Sequence, residues 1–228
     1  MKHVLDNPAW NALISGNRSL SFGNEQVKYF EKEVSPFAAF RENTRENFLL
    51  LHDLMPQNRP VLFVSPMEIE IPPAWKVRHV IHGVQMVCEP ANIRNGPRDE
   101  FVPLTEEHVP QMLELTRLTN PGPFNSKTIE FGHYRGVFDG DMLVAMAGQR
   151  LHTFNYAEVS AVCTRPGYTG KGYARQLIAD QVSRIGEGGE IPYLHSRADN
   201  ARAISVYKSL GFEVRTEVWF YFMVKEEN

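Results

Sequence analysis

The sequence predicts a mixed α/β protein, a mostly antiparallel sheet flanked by helices. Three observations predict it. Asp139-Gly140 is a hairpin signal between two strand-like runs, apolar residues keep helical spacing from Ala174 to Ile185 and from Ala203 to Leu210, and short β-rich runs lie between and around these helices.

A composition break at Glu89 to Pro103 (EPANIRNGPRDEFVP) divides the chain into a smaller N-terminal α/β domain, 1–98, and a larger domain, 99–228. In the first, Thr44 can cap a helix that runs to Met55 and stops before Pro56. Val61 to Val64, between Pro60 and Pro66, reads as a short buried strand, and Val84 to Cys88 as a second. The aromatic residues Trp10, Tyr29, Phe30, Phe37, Phe40 and Phe48 read as core.

In the second, Phe101 to Leu104 is a strand and Thr105 caps a helix that reaches about Leu118, before the breaker Pro121 to Phe124 (PGPF). Tyr134 to Phe138 and Leu143 to Arg150 are the arms of the hairpin, and Ala157 to Thr164 (AEVSAVCT) is the next strand. That strand stops at Arg165-Pro166-Gly167. Gly170 and Gly172 then open a helix on Ala174, Leu177, Ile178, Val182 and Ile185. A strand at Pro192 to His195, a helix at Asn200 to Leu210 with Gly211 as its C′ residue, and a strand at Val214 to Val224 complete the order.

Charge and composition exclude several functions. The 24 basic and 27 acidic side chains leave a formal net charge of -3, nearly balanced in both halves, so the positive patch of a nucleic-acid binder is not expected. Two cysteines, Cys88 and Cys163, without a CxxC grouping disfavour a disulfide framework and a structural zinc site. His79 and His82, three apart in a strand-like stretch, point to opposite faces, so no metal is expected there. No apolar run approaches the ~18 residues of a membrane span, nor does the N-terminus carry a signal-peptide region. The expected setting is a reducing cytoplasm.

Chemistry concentrates at Thr169 to Ala174 (TGKGYA), between a buried strand and an amphipathic helix. Small residues at 170, 172 and 174 let a ligand approach the backbone, and the helix start beyond them supplies unpaired N–H groups and a positive dipole end. This is an anion-binding arrangement. It is not a Walker loop, which would need Gly at Arg165 and Ser or Thr at Gly172, nor a dinucleotide fingerprint, which would need Gly or Ala at Arg175.

The segment resembles motif A of the GNAT N-acetyltransferase superfamily, Q/R-x-x-G-x-G/A, with Gly172 and Ala174 in register and Thr169 in the first place. Asn200 to Phe212 is similar to the family's N-x-x-A-x-x-x-Y-x-x-x-G-F, matching at Asn200, Ala203, Tyr207, Gly211 and Phe212. The resemblance covers about residues 101 to 224, looks like the FR-type subgroup related to glycine N-acyltransferases, and suggests a degenerate half-copy of the same fold before residue 100. It implies a GNAT-type sheet and acetyl-CoA as co-substrate, with no metal. By the same resemblance, Thr169, Gly170, Lys171, Gly172, Tyr173 and Ala174 grip the pyrophosphate. Ala161, Val162 and Cys163 pair with the pantetheine arm, one of their amides serves the thioester oxygen, and Asn200, Ala203 and Tyr207 complete the cofactor site. Pro121 to Phe124 and Tyr134 would wall the amine pocket.

The implied reaction is direct transfer of an acetyl group to an amine within a ternary complex. An amine of pKa near ~10 must lose a proton and the leaving thiolate gains by receiving one. Tyr207 is the expected acid, and Glu158 and His195 are rival bases that water relays could replace. The acceptor is a small-molecule amine or a peptide amine, with neither nucleic acid nor membrane as partner, and monomer and homodimer both remain open. The alternative function is an acyl-CoA-binding module or sensor without turnover, and a third is transfer of longer acyl groups to glycine or another small acceptor.

Overall fold

The computed structural model describes residues 3–89 and 101–225. Pro8 opens α1 (Pro8–Ile14), where its missing N–H costs no helical bond, and Ala9, Trp10, Ala12 and Leu13 are all buried. A helix buried this fully shows no polar face, which is why its sequence gave no amphipathic signal. Three short strands, β1 (Ser21–Gly23), β2 (Val27–Phe30) and β3 (Ala38–Phe40), form a small antiparallel sheet. They are too short to read from alternation. Helix α2 (Arg45–Leu54) follows, and the expected cap is present: Thr44 Oγ1 accepts from the Asn47 N–H at 3.3 Å.

The large sheet contains β4 (Val61–Ser65), β5 (Trp75–Cys88), β6 (Val102–Pro103), β7 (Arg135–Asp139), β8 (Met142–Thr153), β9 (Tyr156–Thr164), β10 (Ile191–Arg197) and β11 (Phe212–Lys225). Its order is β4-β11-β5-β10-β9-β8-β7-β6, with β9 and β10 parallel and the other neighbours antiparallel. Helices α4 (Tyr173–Glu187) and α5 (Ala201–Ser209) fall where apolar periodicity predicts them, while α3 (Val109–Thr119) begins four residues after Thr105, the expected cap, which instead opens a 3-10 turn at Glu106–His108. Gly140, at φ 56°, supplies the left-handed turn between β7 and β8. No helix among the described residues is long and apolar enough to cross a membrane.

One strand departs most from the sequence reading. β5 is fourteen residues long and begins at Trp75 rather than Val84, because residues 76–80 are all exposed and carry no buried alternation to announce a strand. It lies between β10 and β11 and bonds to both, so the sheet is continuous across the composition break. The boundary expected at 98/99 lies outside the described residues.

The two faces of the sheet carry separate cores. On one, Ile178, Val182 and Ile185 of α4 pack on Ala157, Val159, Met86 and Leu194, with α5 alongside. On the other, α1 and Met112 and Leu115 of α3 pack on Met146, Leu151, Cys163 and Tyr193. The second face holds the polar cluster described next.

Candidate active site

Strand β9 is bulged. Its ladder with β8 pairs Gly148 with Ser160 and then Met146 with Cys163, leaving Ala161 and Val162 opposite one residue, and Ala161 sits at φ 52°. The bulge reverses the strand's phase. Strict alternation would put 158, 160 and 162 on one face, yet Val162 packs with Ala157 and Val159 on the α4 side, while Ala161 and Cys163 join the α1 side. Beyond the bulge β9 also parts from β10, because the parallel ladder ends at Tyr193–Glu158. Residues 159–164 and 194–197 share no ladder bonds, and the opening exposes strand backbone at mid-sheet.

The loop after β9 continues this open backbone. Arg165 N–H donates to Val144 at 2.7 Å and Tyr168 N–H to Arg165 at 3.0 Å, but none of the N–H groups of residues 169–175 has a partner among the described residues. Gly170 and Gly172, at φ 84° and 85°, hold a conformation unfavourable to side chains, and a Cβ on either would meet nothing within 4 Å. Gly172 is the N-cap of α4, so these amides sit at the positive end of a fifteen-residue helix. A row of unbonded amides with open space beside it at a helix start is an arrangement that can hold an anion. Lys171 reaches sideways, its Nζ 4.6 Å from the Tyr168 ring centroid, and Tyr168 donates to Asp139 at 2.6 Å. Tyr173 packs partly buried against Leu177, and Ala174 follows in the first turn of α4.

Helix α5 supplies the second matching segment. Asn200 Oδ1 accepts from the Ala203 N–H at 3.1 Å, the cap its residue type favours. Tyr207 is half-buried, packs edge-on to Phe212 at 6.1 Å, and joins the cluster that contains Val162 of the bulge. Burial pushes its hydroxyl above the ordinary value, and no described residue bonds it.

Glu158 and His195 are brought together, and both are buried. His195 Nδ1 lies 2.7 Å from Glu158 Oε1, while Arg150 donates to the same carboxylate through Nη2 at 2.6 Å and Nε at 2.9 Å. Burial pushes the Glu158 carboxyl up, but Arg150 and His195 outweigh it and hold it down at about 2. The carboxylate only accepts, so His195 Nδ1 carries the hydrogen and Nε2 accepts from the Gln85 amide at 3.0 Å. Gln85 also donates to Leu5 C=O at 2.9 Å and accepts from Arg215, which in turn donates to Asp6 at 2.7 Å. A chain of charged and polar groups thus ties β8, β9, β10, β5 and β11 to the N-terminal segment. Arg150, Gln85 and Arg215 have no motif to flag them. The only sequence trace is that Arg150 and Glu158 stand on adjacent arms of antiparallel strands.

Cysteine and histidine surroundings complete the description. Burial raises the Cys163 thiol to about 12, which leaves it protonated and unfit as a nucleophile. His79 stacks on Phe222 at 4.2 Å and His82 on Trp219 at 5.2 Å, and no group of three metal-ligating side chains occurs among the described residues.

Between the bulge and the loop at 121–124 lies a small cleft open to solvent, with an enclosed volume of about 10 Å³, lined also by Tyr134, Arg150 and Ser160. Gly148 makes room for the Tyr134 ring, since a Cβ there would come within 2.3 Å of it. Gly148→Ala is therefore expected to lose about 1 to 3 kcal/mol by overpacking. Urea unfolding checks this, and a loss below ~0.5 kcal/mol would mean the ring moves aside freely.

A bulged strand, a parted parallel pair and free amides above a helix start mark this mixed α/β sheet. Residues 134–220 match the family model described as FR47-like protein. The crystal structure of a GNAT-family protein from Novosphingobium aromaticivorans superposes with a TM-score of 0.92 at 34% identity, covering 99% of this chain and 100% of that one. The N-alpha-acetyltransferase RimI of Mycobacterium tuberculosis is 35% identical over 98 residues, 41% of this chain and 60% of that protein. An uncharacterised protein of Mycobacterium leprae is 42% identical over 84 residues, 35% of this chain and 23% of that protein. The matches thus span less than two thirds of the length of these last two relatives. This chain belongs to the GNAT family.

Proposed function

We propose that this protein is an acetyl-CoA-dependent N-acetyltransferase that moves the acetyl group directly to an amine while both substrates are bound. The observation that carries the reading is the run of unbonded amides at 169–175 beside the parted strands β9 and β10. When bound, acetyl-CoA supplies the acetyl group already activated as a thioester. Thr169, Gly170, Lys171, Gly172, Tyr173 and Ala174 would hold its pyrophosphate. Ala161, Val162 and Cys163 would hold the pantetheine arm through backbone groups, with Asn200, Ala203 and Tyr207 across from them. A fixed N–H at the bulge orients the thioester oxygen and stabilises charge gathering there. Tyr207, kept protonated by burial, gives its proton to the departing sulfur.

The amine must still lose a proton. A carboxylate held at about 2 is a poor acceptor for it, and His195 has both ring nitrogens engaged. We therefore assign Glu158 and His195 to positioning the bulged strand, and the amine proton leaves through water in the cleft. The acceptor class is a small-molecule or peptide amine, and the likeness to an N-alpha-acetyltransferase makes amino-terminal peptides the first to assay.

The test combines calorimetry with thiol release. Coenzyme A should bind, and thiol should appear when acetyl-CoA is mixed with a suitable amine. Gly172→Ala places a methyl on the amide row and is expected to weaken coenzyme A about tenfold, the size of one lost hydrogen bond. Absence of coenzyme A binding would remove the reading altogether. The engagement of both candidate bases favours a second reading, an acyl-CoA-binding module without turnover, and tight binding with no acetylated product from any amine would select it.

A further inference from the structure

The cleft holds a polar group that the mechanism does not use. The Tyr134 hydroxyl is buried without a hydrogen-bond partner among the described residues, on a side chain 3% exposed. Tyr134 nonetheless lines the cleft, beside Ser160 and the bulge residue Ala161. An unpaired buried hydroxyl is costly to keep, and native proteins keep few. The packing around this one is specific: Gly148 gives way to the ring, and Phe124 meets it edge-on at 5.7 Å. Burial pushes its hydroxyl well up, so it serves as a donor at neutral pH.

The other polar groups of the cleft say what a donor there would meet. Arg150 spends Nε and Nη2 on Glu158, and its Nη1 has no partner among the described residues. Thr128 Oγ1 is already satisfied, donating to Val34 C=O and accepting from the Asn125 N–H, each at 2.7 Å. Apart from the Ser160 hydroxyl, which can donate or accept, the unused side-chain groups of the cleft, the Tyr134 hydroxyl and Arg150 Nη1, are donors in want of an oxygen. Because Glu158 already balances the charge of Arg150, a neutral oxygen suits the site better than a second carboxylate, whose desolvation would go uncompensated.

We infer that Tyr134 binds the acceptor, its hydroxyl donating, together with Nη1 of Arg150, to a carbonyl oxygen next to the reacting amine, as in an α-amino amide. The inference rests on the N-acetyltransferase reading. It is tested by steady-state kinetics of the wild-type protein and Tyr134→Phe with alaninamide, alanine and isopropylamine, three acceptors of similar size, alongside thermal melting.

The wild-type protein should prefer alaninamide. Tyr134→Phe should raise KM for alaninamide about tenfold, leave isopropylamine and the KM of acetyl-CoA unchanged, and melt no lower than wild type because an unpaired hydroxyl has gone. A variant that changes all three acceptors equally, or none, overturns the inference while the acetyltransferase reading stands. A wild-type preference for alanine overturns the carbonyl assignment. A lower melting temperature with unchanged KM means that the hydroxyl bonds internal water, which also overturns it. Failure of the wild-type protein to acetylate any amine overturns both readings.

Discussion

Glu158→Ala is expected to lower the unfolding free energy by about 3 to 5 kcal/mol, the cost of stripping one partner from a buried ion pair. Glu158 is 1% exposed and Arg150 12%, so the guanidinium would be left charged against the Phe37 ring, whose centroid lies 4.8 Å from Arg150 Cζ. For a chain of this length the loss corresponds to about 10 °C in melting temperature. The same residue sets an acid limit. Its folded pKa of about 2 lies below the ordinary carboxylate value, so its stabilisation is complete above that ordinary value and is lost as pH falls toward 2. The depression amounts to about 3 kcal/mol. Urea titrations between pH 7 and pH 3 should show a falling limb that is shallower in Glu158→Ala. A variant with wild-type stability and an unchanged limb would mean that the cluster does not hold the sheet.

Tyr207→Phe is expected to reduce kcat by about 10² or more, the usual contribution of a positioned general acid. The hydroxyl bonds to no described residue and the ring keeps its contact with Phe212, so the fold should survive the change and the KM of acetyl-CoA should hardly move. The measurement is thiol release at saturating acceptor, compared with the melting temperature of the same preparation. A kcat within about threefold of wild type would exclude Tyr207 as the acid, since the lost proton donor could not then have been rate-contributing.

The parts of the candidate site that can be read from sequence are those whose geometry is local. The glycines at 170 and 172 require positive φ, and Asn200 three residues before Ala203 is a helix cap; both follow from residue type and spacing within one short segment. The bulge at Ala161 is not legible in the same way, because a two-against-one pairing exists only when β8 lies alongside. The roles of Glu158 and His195 were open for the same reason. Their behaviour as acids or bases depends on Arg150 and Gln85, one on a neighbouring strand and the other 110 residues away from His195.

Residue order alone therefore determined the helices with their caps, the hairpin at Asp139-Gly140 and the open loop ahead of α4, since hydrophobic period and backbone preference act within a few residues. Assembly of the sheet decided the rest. Only there does β5 enter between β10 and β11 and carry Gln85 to His195, and only burial beside Arg150 turns Glu158 from a candidate base into half of a fixed ion pair. The physical reason is that charge, desolvation and strand pairing act through space, between residues that sequence distance keeps apart.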